Sequence, residues 1–179
     1  DCGYGRAGVD PQTESAIWLA SRIYSSPMVH FAGVLTHGGH SYSRVGPAAI
    51  LEVAREERDV LVGFASRLRE HSIEVEGVSV GSTPTMMHVD HLRGVTEIRP
   101  GNYALFDGFQ SQIGACPPDW VAATVLASVI SVHSDRAIVD AGALALSKDS
   151  GLGDAGYGTV IDAHGRPLPD LSLVSLSQE

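Results

Sequence analysis

An α/β chain with a β-rich tail is what this sequence predicts, and three observations predict it. Of its 179 residues, 44% are hydrophobic and 18% charged, a composition that supports a packed core and not disorder. The first half alternates helical and strand periodicity, which calls for parallel strands joined by crossover helices. The second half changes to short β-rich runs separated by turn residues. The length fits one domain, or two small ones.

Residues 12–25 set Ala16, Leu19, Ala20 and Ile23 on one helical face, behind a Pro11 suited to a first turn. His30 to Thr36 reads as a short buried strand that runs into a Gly-rich loop. From Pro47 to His71 the period is helical. Ile50, Val53, Ala54, Val60, Leu61, Phe64 and Leu68 form the apolar stripe, opposite Glu52, Arg55, Glu56, Arg58 and Arg69. Val78 to Val80 is the next strand, Thr85 to Leu92 a short helix and Val95 to Arg99 a further strand. Beyond a boundary at 103–120, marked by Pro117 and Pro118, four runs read as β: Ala122–His133, Ala137–Leu146, Tyr157–Asp162 and Leu171–Ser177. Turns at Ser134-Asp135, at 149–151 and at 164–167 separate them.

Neither end carries a terminal turn or cap, so a piece of a longer chain is expected. Four βα units fall short of the roughly eight that close a barrel. The pattern alone therefore leaves two readings open, part of a barrel or a complete small α/β sandwich.

Charge excludes one class of partner. With 12 basic and 21 acidic residues the net charge is -9, and no basic patch stands out for nucleic acid. Eleven of the 12 are Arg; Lys148 is the single lysine. Any mechanism that needs an amine has this one candidate, because a guanidinium stays protonated and is a poor nucleophile. Cys2 and Cys116 show no disulfide or CxxC spacing, which points to a reducing compartment. No signal peptide opens the chain, and the apolar run Val121–Ile130 is too short for a bilayer core of ~30 Å. The expectation is a soluble, cytoplasmic protein without a membrane partner.

Sites in parallel α/β proteins lie in the loops after the strands. Four such loops are unusual here: 3–8, 36–42, 81–85 and 99–103. Together they gather Arg6, His37, His40, Tyr42, Ser82, Thr83, Arg99 and Tyr103 at one rim. Gly81-Ser-Thr-Pro-Thr85 offers backbone N–H groups, hydroxyls and a helix start, the groups a phosphate monoester needs; an ordinary capped turn has the same residues. Arg99-Pro-Gly101-Asn102 adds a second turn beside it. No Walker A sequence occurs, which argues against a nucleoside triphosphatase. His37 and His40, like His88 and His91, lack a third ligand at metal spacing. His37 is expected against a planar ligand and His40 as a loop anchor. No G-x-S-x-G supports a serine nucleophile, and Lys148 reads as a solvated charge.

Five stretches carry a resemblance: Asp1-Cys-Gly-Tyr-Gly-Arg-Ala-Gly-Val9, Gly33-Val-Leu-Thr-His-Gly-Gly-His-Ser-Tyr42, Ser79-Val-Gly-Ser-Thr-Pro-Thr85, Thr96-Glu-Ile-Arg-Pro-Gly-Asn-Tyr103 and Ser175-Leu-Ser-Gln-Glu179. In these, and in their order, the sequence resembles the D-serine dehydratase and D-threonine aldolase-like family. These are pyridoxal-phosphate (PLP) enzymes with the alanine racemase type of fold. The resemblance implies about half of a (β/α)8 TIM-type barrel in residues 1–105 and part of a β domain in 106–179, in a homodimer. It implies that Ser82, Thr83 and the Gly101-Asn102 backbone hold the phosphate. Arg99 would lie near the pyridine nitrogen, His37 would face the ring, and Arg6 would approach the 3-hydroxyl side. Tyr42 and Tyr103 are candidates for the pocket wall.

The same resemblance implies that the Schiff-base lysine lies before residue 1, so no catalytic residue is expected in this chain. It also implies a divalent metal, zinc or manganese, held by a His-x-Cys or His-x-Asp motif beyond Glu179, so no metal ligand is expected here. The family's substrates imply D-serine going to pyruvate and ammonia. The alternatives are aldol cleavage of D-threonine or a D-3-hydroxyaspartate, an amino-acid racemase, and a non-catalytic PLP- or phosphate-binding module.

Overall fold

The computed structural model describes residues 1–153 and 156–178. It divides into two compact units, one of residues 1–103 with 113–115 and one of 104–112 with 116–179.

The first unit is built on a parallel sheet of three strands in the order β1-β2-β3, the parallel arrangement that the alternating pattern predicted. Helix α1 (Glu14–Tyr24) starts where Thr13 caps the Ala16 N–H. It buries Ala16, Ile17 and Ala20. Leu19, expected on that face, is exposed instead, and Ile17 takes its place in the core. Strand β1 (Gly33–Leu35) pairs with β2 (Gly77–Val80), Gly33 opposite Gly77. The two backbones approach so closely that a Cβ on Gly33 would lie 2.1 Å from the Gly77 carbonyl oxygen, so only glycine fits.

Helix α2 (Pro47–Glu70) follows the predicted bounds within one residue, with Pro47 in its first turn. Its stripe packs Leu61, Phe64, Ala65 and Leu68 against Val78 and Val80 of β2. Each of the larger ones, Leu61, Phe64 and Leu68, contributes about 1.5–3 kcal/mol on removal from water. Arg58, expected on the solvent face, is buried. It donates to the Asp59 carboxylate and to Asp90, which keeps its charge paired.

Helix α3 spans Thr83–His88, starting two residues earlier than predicted and ending four earlier. Ser82 is its cap and Pro84 sits in its first turn, so the Ser-Thr-Pro-Thr sequence is the helix start rather than a loop before it. Strand β3 (Glu97–Ile98) pairs with β2 through Ser79–Glu97 and Val80–Ile98.

The second unit holds helix α4 (Gly108–Gln112), a 3-10 turn over Pro118–Trp120, two antiparallel hairpins and helix α5 (Ala143–Leu146). The hairpins pair β4 (Val129–Val132) with β5 (Ala137–Val139), and β6 (Thr159–Ile161) with β7 (Pro167–Ser172). Three β expectations are corrected. Residues 122–128 form no strand, because nothing pairs with them in a ladder. Residues 143–146 are helical, as Ala-Leu-Ala-Leu after Gly142 favours by propensity. The last strand starts at Pro167 and ends at Ser172, set by the turn at Asp162. There the carboxylate accepts the His164 and Arg166 N–H groups and the Arg166 guanidinium, which hold it below its usual range.

Among the described residues no helix is long and apolar enough to cross a membrane.

Candidate functional site

Two loops at the carboxyl ends of neighbouring strands meet first. Gly81, leaving β2 at φ +133°, lies so near the β3 loop that a Cβ there would be 2.9 Å from the Arg99 nitrogen. Two residues on, the Thr83 hydroxyl accepts the Asn102 N–H at 2.9 Å, tying the Pro-Gly turn to the start of α3. Gly101, between them, is exposed with open space where a side chain would be. Ser82 has a different position. Its hydroxyl accepts the Thr85 N–H at 3.3 Å, lies 3.1 Å from the Ser41 hydroxyl and is 1% exposed, so it caps the helix from inside.

Arg99 spans the strand ends. Its Nε donates to the Ser79 hydroxyl at 2.7 Å and its Nη2 to the Thr36 carbonyl of the loop after β1. Ser79 in turn donates to Glu97, whose carboxylate is 3.8 Å from the Arg99 Nε. The guanidinium is thereby tied to residues at the ends of all three strands.

The loop after β1 supplies the aromatic wall. His37 Nδ1 donates to the Gly81 carbonyl at 2.8 Å, since a carbonyl can only accept; the ring is neutral or charged, but Nδ1 bears a proton. The Tyr42 ring lies 6.3 Å from His37 at 34°, and Tyr4 meets it edge-on at 6.2 Å. Tyr4 also stacks on His40 at 6.5 Å, and the Arg6 guanidinium sits 5.4 Å above the Tyr4 ring. His40 reaches Glu56 at 3.2 Å, a loop contact as expected of it. Tyr103 is 58% exposed. Thus Thr83, Gly101, Asn102, Arg99, His37, Ser82 and Tyr42 form one connected set, Arg6 joins through Tyr4, and Tyr103 stands apart.

Sequence reasoning missed Tyr4, Ser79, Glu97 and above all Glu57. Glu57 sits in the middle of α2 at 0% exposure. Its Oε1 accepts the Gly38 N–H at 2.6 Å and the Gly81 N–H at 3.0 Å, and its Oε2 accepts the Thr85 hydroxyl at 2.9 Å. The missed signal was positional: Glu57 falls between Val53, Ala54 and Leu61 on the apolar stripe. Gly39 is explained by Tyr4, because a Cβ there would stand 2.3 Å from the ring.

Cys2 is buried and its thiol is pushed up, chiefly by that burial, so it is no thiolate nucleophile at neutral pH. Among the described residues no group of three His, Cys, Asp or Glu is placed to hold a metal. Lys148 lies exposed in the second unit, just past α5. Of the terminal stretch, Glu179 lies outside the described residues.

The donor set fits a phosphate monoester. Thr83, as buried as Ser82, accepts the Asn102 N–H, and the open Gly101 beside it lets backbone approach an anion. A fixed guanidinium and an imidazole edge the same strand ends, which suits a planar heterocycle carrying that phosphate.

Comparison with known proteins gives the same class. Residues 1–107 match the model of the alanine racemase N-terminal domain, and residues 122–179 that of a putative serine dehydratase domain. The chain belongs to the alanine racemase N-terminal domain family. Within it, it belongs to the D-serine dehydratase and D-threonine aldolase-like group. D-serine dehydratase of Dictyostelium discoideum is 37% identical over 100% of this chain and 48% of its own length. D-threo-3-hydroxyaspartate dehydratase of Delftia sp. (strain HT23) is 40% identical over 97% of this chain and 47% of its own. D-threonine aldolase of Arthrobacter sp. is 32% identical over 97% and 50%. A mutant of D-threo-3-hydroxyaspartate dehydratase, solved in a metal-free form, superposes with a TM-score of 0.91 at 39% identity, over 100% of this chain and 49% of that one. The chain therefore spans about half the length of the relatives it matches.

Proposed function

We propose that this chain is part of a PLP- and divalent-metal-dependent D-amino-acid lyase that converts D-serine to pyruvate and ammonia. The observation that carries the reading is the Thr83–Asn102 tie, which makes one anion cradle from two strand-end loops. The greater similarity to two dehydratases than to the aldolase favours dehydration.

PLP supplies an electron sink at the amino acid's Cα. This chain's residues bind and orient it. The Thr83 O–H and the Gly101 N–H would hold the phosphate, with Ser82 and the Asn102 backbone keeping those donors in place. Arg99 would face the pyridine nitrogen, where as a permanent cation it would donate a hydrogen bond without giving up a proton. His37 would pack on the ring, with Tyr42, Arg6 and Tyr103 along the wall. The amine and the metal ligands, for zinc or manganese, come from residues outside these 179. The first unit is then about half of a TIM-type barrel, in a cytoplasmic homodimer with no nucleic-acid or membrane partner.

The full-length protein should be incubated with D-serine, D-threo-3-hydroxyaspartate and D-threonine. Pyruvate from D-serine supports the proposal. Glycine with acetaldehyde from D-threonine establishes the aldolase reading suggested by the third relative, and no product from any of the three overturns both.

A further inference from the structure

We propose that Glu57 is a positioning residue that sets the orientation and tautomer of His37. One oxygen does the work. Oε1 of Glu57 accepts the N–H of the peptide that follows His37, at 2.6 Å, and the N–H of the peptide that precedes Gly81, at 3.0 Å. The loop that carries His37 and the loop it bonds are therefore both measured from the same atom. Gly81 then offers its carbonyl to His37 Nδ1 at 2.8 Å. In a neutral imidazole this places the proton on Nδ1 and leaves Nε2 as the acceptor.

The carboxyl group is built for this task. It comes from a long helix packed on the sheet, is 0% exposed, and its second oxygen is anchored by the Thr85 hydroxyl at 2.9 Å. The fit around it is close, since a Cβ on Gly38 would stand 3.1 Å from its carboxyl carbon. Glu57 bonds Gly81 and Thr85 at the two ends of the 81–85 loop; its effect reaches a ligand through His37 and that turn. The consequence for PLP rests on the function proposed above, whereas the tautomer does not.

The test uses the full-length protein freed of cofactor and labelled with 15N-histidine, with His37 assigned by H37Q. The proposal expects the Nδ1–H form of His37 in the wild type and in E57Q, whose amide oxygen keeps both N–H contacts. E57D, one methylene too short, should show a mixture of tautomers and a PLP dissociation constant raised about tenfold. An Nε2–H form in the wild type overturns the proposal whatever the variants do. A wild-type tautomer and PLP affinity in folded E57D overturn it as well. If E57D does not fold, G38A displaces the same carboxyl group from the other side, and an unchanged His37 tautomer in that variant overturns it. Wild-type protein that shows the Nδ1–H form but no PLP binding refutes the proposed cofactor and leaves the positioning role standing.

Discussion

Thr83 has two proposed duties that one substitution removes together. Its hydroxyl oxygen holds the Asn102 N–H, and on the proposed function its hydroxyl proton would be donated to the phosphate. Thr83→Val keeps the shape, so the fold should survive while PLP binding by the full-length protein weakens about tenfold, the loss of ~1.4 kcal/mol. A fluorescence titration of the apoprotein measures it, and unchanged affinity would remove Thr83 from the site. Arg99 makes a sharper case. Its two donors diverge to Ser79 and Thr36, which a point-like ammonium cannot match. Arg99→Lys should therefore lower turnover more than Thr83→Val does, with the phosphate affinity little changed. Thr83 and Arg99 were legible in the sequence because their loops announce themselves by local composition: Gly, Ser, Thr and Pro within a few positions. Glu57 was not, since its partners lie 19, 24 and 28 residues away and only the folded helix brings them to it.

At the scale of elements, the same contrast recurs between periodicity and partnership. Helix α2 was readable nearly to the residue because an apolar stripe is a property of one segment. The tail was read as more β than it is because branched residues suit a strand only where another strand pairs with them. Arg58 belongs with these errors: one position in a polar run turns inward to meet Asp90 beyond α3. That contact gives a pH dependence. Asp90 is held at about 2, first by the Arg55 guanidinium and also by Arg58. A carboxyl group so depressed adds stability that is complete above its ordinary value of 3.8 and is lost as pH falls through about 2. The group is exposed and screened, so the contribution is modest. Asp90→Asn should flatten the acid limb of the unfolding midpoint between pH 4 and 2 by urea titration, a window set by those values; an acid limb identical to wild type would deny the α2–Asp90 tie any role. The joint between β2 and β3 is less forgiving. Gly81→Ala combines a positive φ with a methyl 2.9 Å from the Arg99 nitrogen, and should cost about 1–3 kcal/mol in the same assay.

For the whole molecule, the lysine count decides what this chain can do by itself. Bonding to an aldehyde cofactor needs an amine, and the sequence offers Lys148 alone among its side chains. That residue is exposed, follows α5 in the second unit, and belongs to none of the strand-end loops that form the cradle. The eleven arginines cannot substitute for it, because they do not release a proton at working pH. On the proposed function the cradle and the amine come from different stretches of the full-length protein; the chain spans 48% of the length of the D-serine dehydratase to which it is similar. The prediction is concrete. Borohydride reduction of the full-length protein with PLP, followed by peptide mapping, should place the pyridoxyl group on a lysine outside residues 1–179. Lys148→Arg should leave turnover unchanged, since a solvated charge is exchanged for another. A pyridoxyl group on Lys148, with activity lost in Lys148→Arg, would instead move the reacting centre into the second unit and leave the Thr83 cradle without the cofactor assigned to it.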